Sequence, residues 1–243
     1  MESQTDKKYY MARRVELLQE FDEEMERWRL VLASQYGSDF AEQVLRESRE
    51  QYQSLLPLVP YIGGDDNHLT SSLIGSAQCL ALYRAMKTHA HTAAETGKVL
   101  YDAILARRHE PATPVSSAPL LTPEQLMERR RQRAAQSQER RYADDYMYAF
   151  VEGDGEAFDY GYDFSECAAQ KFYHAQGAEE FLPYYCFLDY AWSQVLGLGL
   201  SRSTTLSEGY ARCAHRFKRG RKTLVEWPPP FEARVARPNE DKI

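Results

Sequence analysis

The chain has 243 residues, of which 43% are hydrophobic and 27% are charged, and its formal net charge is -6. This composition is typical of one globular domain or two small ones, and the net negative charge argues against nucleic-acid binding, which needs clustered Lys and Arg. No stretch approaches the roughly 18 consecutive apolar residues of a membrane helix, so neither nucleic acid nor membrane is an expected partner. The polar amino terminus and four widely spaced cysteines predict a cytoplasmic protein with free thiols.

The first part of the chain is predicted to be helical. Apolar residues recur at steps of three and four residues, which predicts an amphipathic helix that ends at Gly37. The apolar stripe consists of Met11, Val15, Leu18, Phe21, Met25, Trp28 and Leu32. Ser38 then begins a second helix, which places four residues on one face: Val44, Ser48, Tyr52 and Leu55. Two antiparallel helices are therefore expected at the start of the chain.

Glycine and proline divide the next segments. Residues 58–67 contain a proline and two adjacent glycines, which favour an irregular loop. Apolar periodicity resumes over residues 69–106, either as one long helix or as two helices separated near residues 88–92. Residues 111–121 contain three prolines in eleven positions, which predicts an extended linker.

A capping box marks the start of the following helix. The Thr-Pro-Glu-Gln sequence at residues 122–125 places proline at the first helical position, and the helix is predicted to reach about Tyr142. Its run from residue 128 to residue 141 is rich in arginine. Because glutamate and glutamine interleave with these arginines, we interpret the run as a solvated face rather than as a patch for an anionic partner.

The second half changes to strand periodicity. Alternating aromatic residues on either side of residues 153–155 predict a β-hairpin. Two aromatic-rich helices and a second hairpin are predicted to follow, over residues 166–175, 179–196, 198–206 and 210–218. The Trp-Pro-Pro-Pro sequence at residues 227–230 is expected to end regular structure.

The predicted fold class is α+β, with a helical amino-terminal layer packed on a small antiparallel β-sheet formed by the carboxy-terminal half. The pattern divides the chain into four segments. They are a helical region at 1–110, the proline-rich linker at 111–121, an α+β region at 122–226 and an irregular tail at 227–243.

Several short motifs occur in a fixed order in the second half. They are Cys167, then Cys186-Phe-Leu-Asp189, then Arg202-Ser-Thr-Thr205-Leu with Gly209, then Cys213 and Arg216-Phe217. In the first half, Pro60-Tyr-Ile-Gly63-Gly64 is followed by Asn67 and a helix. This arrangement resembles the L-2-amino-thiazoline-4-carboxylic acid hydrolase family over nearly the whole chain. The sequence departs from the family pattern at Ala214 and His215, where an acidic residue and an aromatic residue are expected.

The resemblance implies an enzyme that opens a small cyclic amidine or amide ring by hydrolysis. The substrate would be 2-amino-thiazoline-4-carboxylate or a related ring, held between the helical layer and the sheet. Two alternatives stay open because a fold does not dictate its reaction. One is a biosynthetic tailoring enzyme that catalyses cyclisation, dehydration or rearrangement, and the other is a non-catalytic module that binds a small molecule.

Cys186 and Asp189 lie three residues apart in a predicted helix and so share one face. Cys186 could attack the amidine carbon as a nucleophile, although a nearby carboxylate raises a thiol pKa and lowers the thiolate fraction. Asp189 could instead act as a general base that activates water, with Tyr190 beside it in the pocket. The third interpretation is that Cys186 is a small buried hydrophobic residue.

Cys213 and His215 alternate onto the same face of the last predicted strand. His215 could deprotonate a thiol or carry a proton to the leaving atom. The pair could also hold zinc together with Cys186 or Cys167, although the sequence requires no cofactor. The simplest interpretation is a histidine at the edge of the sheet.

Arg202 is a candidate for binding the carboxylate of an amino-acid-derived substrate, since a guanidinium can hold two carboxylate oxygens. The alternative for Arg202 is an internal salt bridge. The Thr205 hydroxyl could bind substrate, or the residue could serve the strand through its β-branched shape. Asn67 could border the pocket or cap a turn. Exposed aromatic surface on the long helices could mark a homo-oligomer interface, although such stripes more often face the protein's own core.

Overall fold

A computed structural model describes residues 8–109 and 121–235. The first five helices are α1 (Tyr9–Ala12), α2 (Arg14–Tyr36), α3 (Ser38–Leu55), α4 (Thr70–Thr88) and α5 (Ala93–Ala106). The remaining elements are α6 (Pro123–Ser137), β1 (Met147–Glu152), β2 (Tyr160–Glu166), α7 (Ala168–Ala175), α8 (Leu182–Leu196), β3 (Leu200–Arg202), β4 (Cys213–Phe217) and α9 (Pro230–Val235). The predicted α+β class is confirmed.

The antiparallel pair α2 and α3 forms as predicted. The four predicted core residues of α3 are all buried: Val44, Ser48, Tyr52 and Leu55. The stripe on the first helix is buried only from Leu18 onward, because Met11 is 42% exposed and Val15 is 70% exposed. The helix is interrupted at Arg13, between α1 and α2. Tyr10 and Leu17 therefore occupy the core positions that were predicted for Met11 and Val15.

Of the two alternatives that the sequence leaves open for residues 69–106, the structure has two helices. α4 ends at Thr88, and the side chain of Thr92 caps α5 by accepting a hydrogen bond from the Glu95 amide at 3.1 Å. The Glu95 carboxylate in turn accepts a hydrogen bond from the Thr92 amide at 2.8 Å, which completes a capping box. Two separate helices therefore form because the capping box starts a new one.

The boundaries of α6 differ from the prediction at one end. Its capping box at Thr122 and Gln125 forms as predicted. The helix ends at Ser137 rather than near Tyr142, because the Ser137 hydroxyl accepts a hydrogen bond from the Tyr148 amide at 3.1 Å and ties the helix end to β1. The predicted linker at 111–121 lies outside the described residues except for its last position.

The tail prediction is wrong for one segment. Residues Pro230–Val235 form the short helix α9, with a proline at its first position, where a fixed φ and a missing N–H are both compatible with a helix start. The rest of the predicted tail, residues 236–243, lies outside the described part of the chain. No helix among the described residues is both long enough and apolar enough to cross a bilayer.

The four strands form one antiparallel sheet in the order β1-β2-β4-β3. β4 is an inner strand, so His215 does not lie at the sheet edge as in the simplest interpretation of the sequence. His215 is paired with Tyr162 on one side and with Arg202 on the other. The face that carries His215 is rich in aromatic rings, and Phe164 and Phe217 both contact the imidazole.

The opposite face of the sheet is polar. Asp163 of β2 accepts a hydrogen bond from Arg216 at 2.8 Å and forms an ion pair with Arg212 at 3.2 Å. The departure from the family pattern at Ala214 lies on this face, because Ala214 is opposite Asp163 in the register. The two faces therefore separate a charged surface from the aromatic surface that contains His215.

Candidate active site

Three predicted residues meet where α8 crosses the sheet. Oδ2 of Asp189 accepts a hydrogen bond from Nη1 of Arg202 at 2.8 Å and lies 3.3 Å from Nε2 of His215. Arg202 and His215 are neighbours because β3 and β4 place them opposite each other. Asp189 reaches both from α8, so a helix and two strands build a charged centre of three residues.

The side chains of Arg202 and His215 are far more buried than that of Asp189. The side chain of Arg202 is 5% exposed and that of His215 is 11% exposed, whereas that of Asp189 is 50% exposed. Asp189 nevertheless lines a cavity and contacts two other side chains, so its carboxylate is partly shielded from bulk water. Burial by itself would raise the pKa of Asp189, but the hydrogen bond from His215 and the charge of Arg202 outweigh it, and this pKa lies below its usual value. Asp189 is therefore ionised at neutral pH.

Only one oxygen of the Asp189 carboxylate is used by Arg202 and His215. Both contacts are made by Oδ2, and Oδ1 of Asp189 has no hydrogen-bond partner in the described part of the chain. The contact with His215 requires the proton on Nε2. Nδ1 of the same ring is buried without a partner among residues 8–109 and 121–235. The imidazole is thus held as a donor to Asp189, and Oδ1 is left for another molecule.

An open cavity of about 420 Å³ lies beside this carboxylate. Helices α2, α4, α5 and α8 contribute to its wall, which includes Tyr185, Asp189 and Trp192. The predicted pocket between the helical layer and the sheet is therefore displaced, because it lies among the helices. The sheet residues Arg202 and His215 do not line this cavity, and they contact Asp189 through its Oδ2 atom.

Cys186 lies one helical turn before Asp189, as predicted, and its carbonyl oxygen accepts a hydrogen bond from Nη1 of Arg202 at 3.0 Å. Its thiol is partly buried, and burial raises the pKa of Cys186 well above the usual range. Burial also raises the pKa of Cys167 to about 12. The cavity wall contains a different cysteine, Cys79, whose pKa is likewise raised by burial. None of these three environments favours a thiolate.

The last two predicted residues of the sheet region stabilise a loop. Sγ of Cys213 accepts a hydrogen bond from the Leu206 amide at 3.1 Å. Oγ1 of Thr205 accepts one from the Glu208 amide at 3.2 Å and so caps the short turn Leu206–Glu208. Both side chains are used within the protein, and they hold the segment that joins β3 to β4.

Arg202 forms the internal salt bridge that the sequence left as the alternative to substrate binding. Its guanidinium also lies over the ring of Tyr190, with 5.1 Å between Cζ and the ring centroid. The Tyr190 hydroxyl donates a hydrogen bond to the Arg202 carbonyl at 3.3 Å. Tyr190 therefore fixes the backbone and the side chain of Arg202 together.

Asn67 lies at a second, separate cavity of about 270 Å³. Its side-chain amide donates hydrogen bonds to the Ile62 carbonyl at 2.6 Å and to the Asp145 carboxylate at 2.9 Å. Its oxygen accepts one from the Leu69 amide at 3.0 Å. The structure thus uses Asn67 to organise the turn before α4, and does not place it with Asp189.

The zinc site that the sequence offers as an alternative would use Cys213 and His215 with Cys186 or Cys167. Nε2 of His215 faces Asp189, and Sγ of Cys213 faces the Leu206 amide, so the two side chains do not point to a common centre. Within the ranges that the structure describes, no three His, Cys, Asp or Glu side chains are grouped so that they could hold a metal ion.

Sequence reasoning missed a cluster of residues in the cavity wall. Glu24 and Arg107 form an ion pair there, and the guanidinium of Arg107 lies 4.8 Å from the ring centroid of Trp192. Trp192 follows Asp189 by three residues in α8, and this helical spacing could have indicated it. Nothing local in the sequence relates Glu24 to Arg107, because they are 83 positions apart.

The fold and the cavity define an α+β protein with an ionised carboxylate at a site of small-molecule size. The model of the L-2-amino-thiazoline-4-carboxylic acid hydrolase family matches residues 72–217. The chain therefore belongs to this family, whose name describes a hydrolase. No curated protein and no solved structure matches the chain.

Proposed function

We propose that this protein hydrolyses a small cyclic amidine or amide, by family resemblance 2-amino-thiazoline-4-carboxylate or a related ring. One observation carries the proposal: Asp189 is an ionised carboxylate with a free oxygen at a cavity of about 420 Å³. The volume is in the range of cavities that bind small molecules. An amidine presents N–H groups, and these are donors that a carboxylate oxygen accepts strongly.

In the proposed reaction, Oδ1 of Asp189 removes a proton from a water molecule as the water oxygen attacks the ring carbon between the two heteroatoms. The new carbon–oxygen bond forms as the C=N π bond opens and its electron pair passes to that nitrogen, which gives a tetrahedral carbon. On collapse a C=O bond forms and a ring bond of that carbon breaks. The hydroxyl proton passes to the nitrogen that received the π electrons, and the departing ring atom takes up the proton that Asp189 received. One water molecule is added in total, and nothing is oxidised or reduced.

Arg202 and His215 act in this proposal as positioning residues for Asp189. Both contact Oδ2, so they hold the carboxylate in one orientation and keep it ionised. The lowered pKa of Asp189 makes it a weaker base, and general-base catalysis by such a group depends on its fixed position next to the water. Tyr190 supports the same arrangement through Arg202.

The competing catalytic hypothesis uses the Cys186 thiol as the nucleophile. Its raised pKa argues against it, because a thiol at neutral pH attacks far more slowly than a thiolate. We therefore assign Cys186 a structural role beside Asp189. We assign comparable supporting roles to Cys167, Cys213 and Thr205, and a turn-forming role to Asn67.

The test is turnover by the purified full-length chain. Incubation with 2-amino-thiazoline-4-carboxylate, followed by mass spectrometry, should show loss of the ring and a product heavier by one water. A thiol reagent then identifies the broken bond, since C–S cleavage releases a free thiol and C–N cleavage does not. A product of unchanged mass would favour a rearranging tailoring enzyme. Saturable binding without any product would favour a binding module, and either result would overturn the hydrolase proposal.

A further inference from the structure

Arg107 lies in the cavity that contains Asp189. It begins the turn Arg107–His109 that follows α5, and its side chain is 20% exposed. Its guanidinium pairs with Glu24 of α2 and covers the ring of Trp192 of α8. Three helices that are distant in sequence thus hold this guanidinium in the cavity wall.

The guanidinium has donors that the protein leaves unused. An arginine carries five N–H groups, and the ion pair with Glu24 engages Nη2. Nε of Arg107 is buried and has no hydrogen-bond partner within 8–109 and 121–235. The guanidinium has five donors and is partly exposed to the cavity, so its remaining N–H groups can bind a further acceptor such as a ligand carboxylate.

The spacing suits a compact ligand with opposite charges at its two ends. Trp192 lies three residues after Asp189, so both project from the same face of α8 about one helical turn, roughly 5 Å, apart. Arg107 is fixed over Trp192 and is therefore displaced from Asp189 in the same direction. A five-membered ring that bears an amidine at one side and a carboxylate at the other has a comparable separation between these groups.

We propose that Arg107 binds the carboxylate of an amino-acid-derived substrate whose cyclic amidine lies against Asp189. This inference rests on the proposed function and adds the residue that would bind the carboxylate of its substrate. Arg202, the arginine that the sequence indicated for this role, is 5% exposed and is occupied by Asp189. Arg107 lines the cavity, and the Trp192 ring holds its guanidinium there.

The experiment compares two ligands that differ only in the carboxylate. They are 2-amino-thiazoline-4-carboxylate and 2-amino-thiazoline, each titrated calorimetrically into the full-length chain. Arg107→Gln should weaken binding of the carboxylate ligand by about tenfold to a hundredfold, as expected for a lost charged hydrogen bond, and should leave binding of the other ligand unchanged. Arg107→Lys should give an intermediate loss, because it keeps the charge without the planar fork.

The matched control is Arg108→Gln. Arg108 is the next residue of the same turn, is exposed and bonds to Gln194, and it does not line the cavity. The Arg108→Gln protein should bind both ligands with the same affinity as the wild type. Circular dichroism of each variant establishes that the fold is intact.

A second variant separates substrate binding from a purely structural role. Glu24→Gln removes the carboxylate that occupies Arg107 in the unliganded protein, so it should tighten binding of the carboxylate ligand several-fold. If Arg107 only held α2 against the turn, the same change would weaken or preserve binding.

The outcomes distinguish this inference from the proposed function. Ring opening by the wild type, together with an unchanged KM in Arg107→Gln, would overturn the role of Arg107 and leave the hydrolase proposal standing. Carboxylate-dependent binding that needs Arg107, without turnover, would support the role of Arg107 and overturn the hydrolase proposal. Equal loss of both ligands in a folded Arg107→Gln protein would overturn the role of Arg107. Failure of the wild type to bind either ligand would overturn both proposals.

Discussion

Replacement of Asp189 by asparagine should reduce both stability and activity, and the two losses have different causes. The change preserves the shape of the side chain but removes its charge. Arg202 then keeps a buried positive charge without its ion-pair partner, because its side chain is 5% exposed. Oδ1 also loses its ability to accept a proton from water.

The size of the stability loss follows from the exposure of the pair. Removing one partner of a fully buried ion pair costs about 3–5 kcal/mol, whereas an exposed pair contributes at most about 1 kcal/mol. Asp189 is 50% exposed, so water in the cavity can partly solvate the remaining charge of Arg202. We expect a loss of about 2 kcal/mol, which corresponds to a fall in Tm of about 4–8 °C for a chain of this size.

The matched control is Asp163→Asn, on the opposite face of the sheet. Asp163 is also paired with arginine, at 2.8 Å from Arg216, and is 18% exposed, but Arg216 is 24% exposed and can be hydrated once the carboxylate charge is removed. This variant should therefore lose less stability than Asp189→Asn, about 1 kcal/mol, and keep full ring-opening activity. Asp189→Asn should lose at least about 100-fold in kcat, the range for removal of a general base.

Urea unfolding and a turnover assay on the same preparations measure both effects. Wild-type activity in Asp189→Asn would refute the assignment of the general base. Wild-type stability in that variant would refute the reasoning that Arg202 depends on this carboxylate. Equal activity losses in both variants would show that the effect is not specific to the cavity.

Three further predictions concern the thiol, acid stability and helix packing. Cys186→Ser should keep most of the ring-opening activity, because the raised thiol pKa leaves little thiolate to lose. The pKa of Asp189 is lowered in the folded protein, so its contribution to stability is complete above the ordinary carboxyl pKa and is lost as pH falls from that value through the lower pKa of the folded state. Urea midpoints between about pH 5 and about pH 2 should therefore fall less steeply in Asp189→Asn than in the wild type. Gly97→Ala should lower the free energy of unfolding by about 1–3 kcal/mol, since the added Cβ would lie 2.9 Å from Cβ of Tyr184. Gly75→Ala has nothing within 4 Å of the added Cβ, so in the same unfolding assay it should raise that free energy by up to about 1 kcal/mol.

Each of these expectations has a contrary outcome. Loss of activity in Cys186→Ser, with a covalent adduct on the wild-type thiol, would restore the nucleophile hypothesis. Equal acid dependence of the wild type and Asp189→Asn would mean that the carboxylate is not held in its ionised form by folding. Stabilisation by Gly97→Ala would contradict the close approach of α5 to α8.

The sequence by itself was sufficient for the type and order of most helices and strands, but not for all of their boundaries. The capping box at Thr122 was predicted because it is an interaction between residues three apart, which can be recognised without knowledge of the fold. The box at Thr92 has the same local pattern but was found only in the structure. The shared face of Cys186 and Asp189 follows from helical geometry in the same way. Local preferences failed where a distant contact intervened, as at the end of α6, where β1 binds Ser137.

Only the tertiary structure decided how the side chains combine into a site. His215 contacts Asp189, 26 positions away, and not its strand neighbour Cys213. Arg107 meets Glu24 and Trp192 because α2, α5 and α8 pack at particular angles and offsets. Periodicity shows which face of a helix is buried but not which residue lies opposite it, because the packing of distant elements depends on the combined shape of all their side chains.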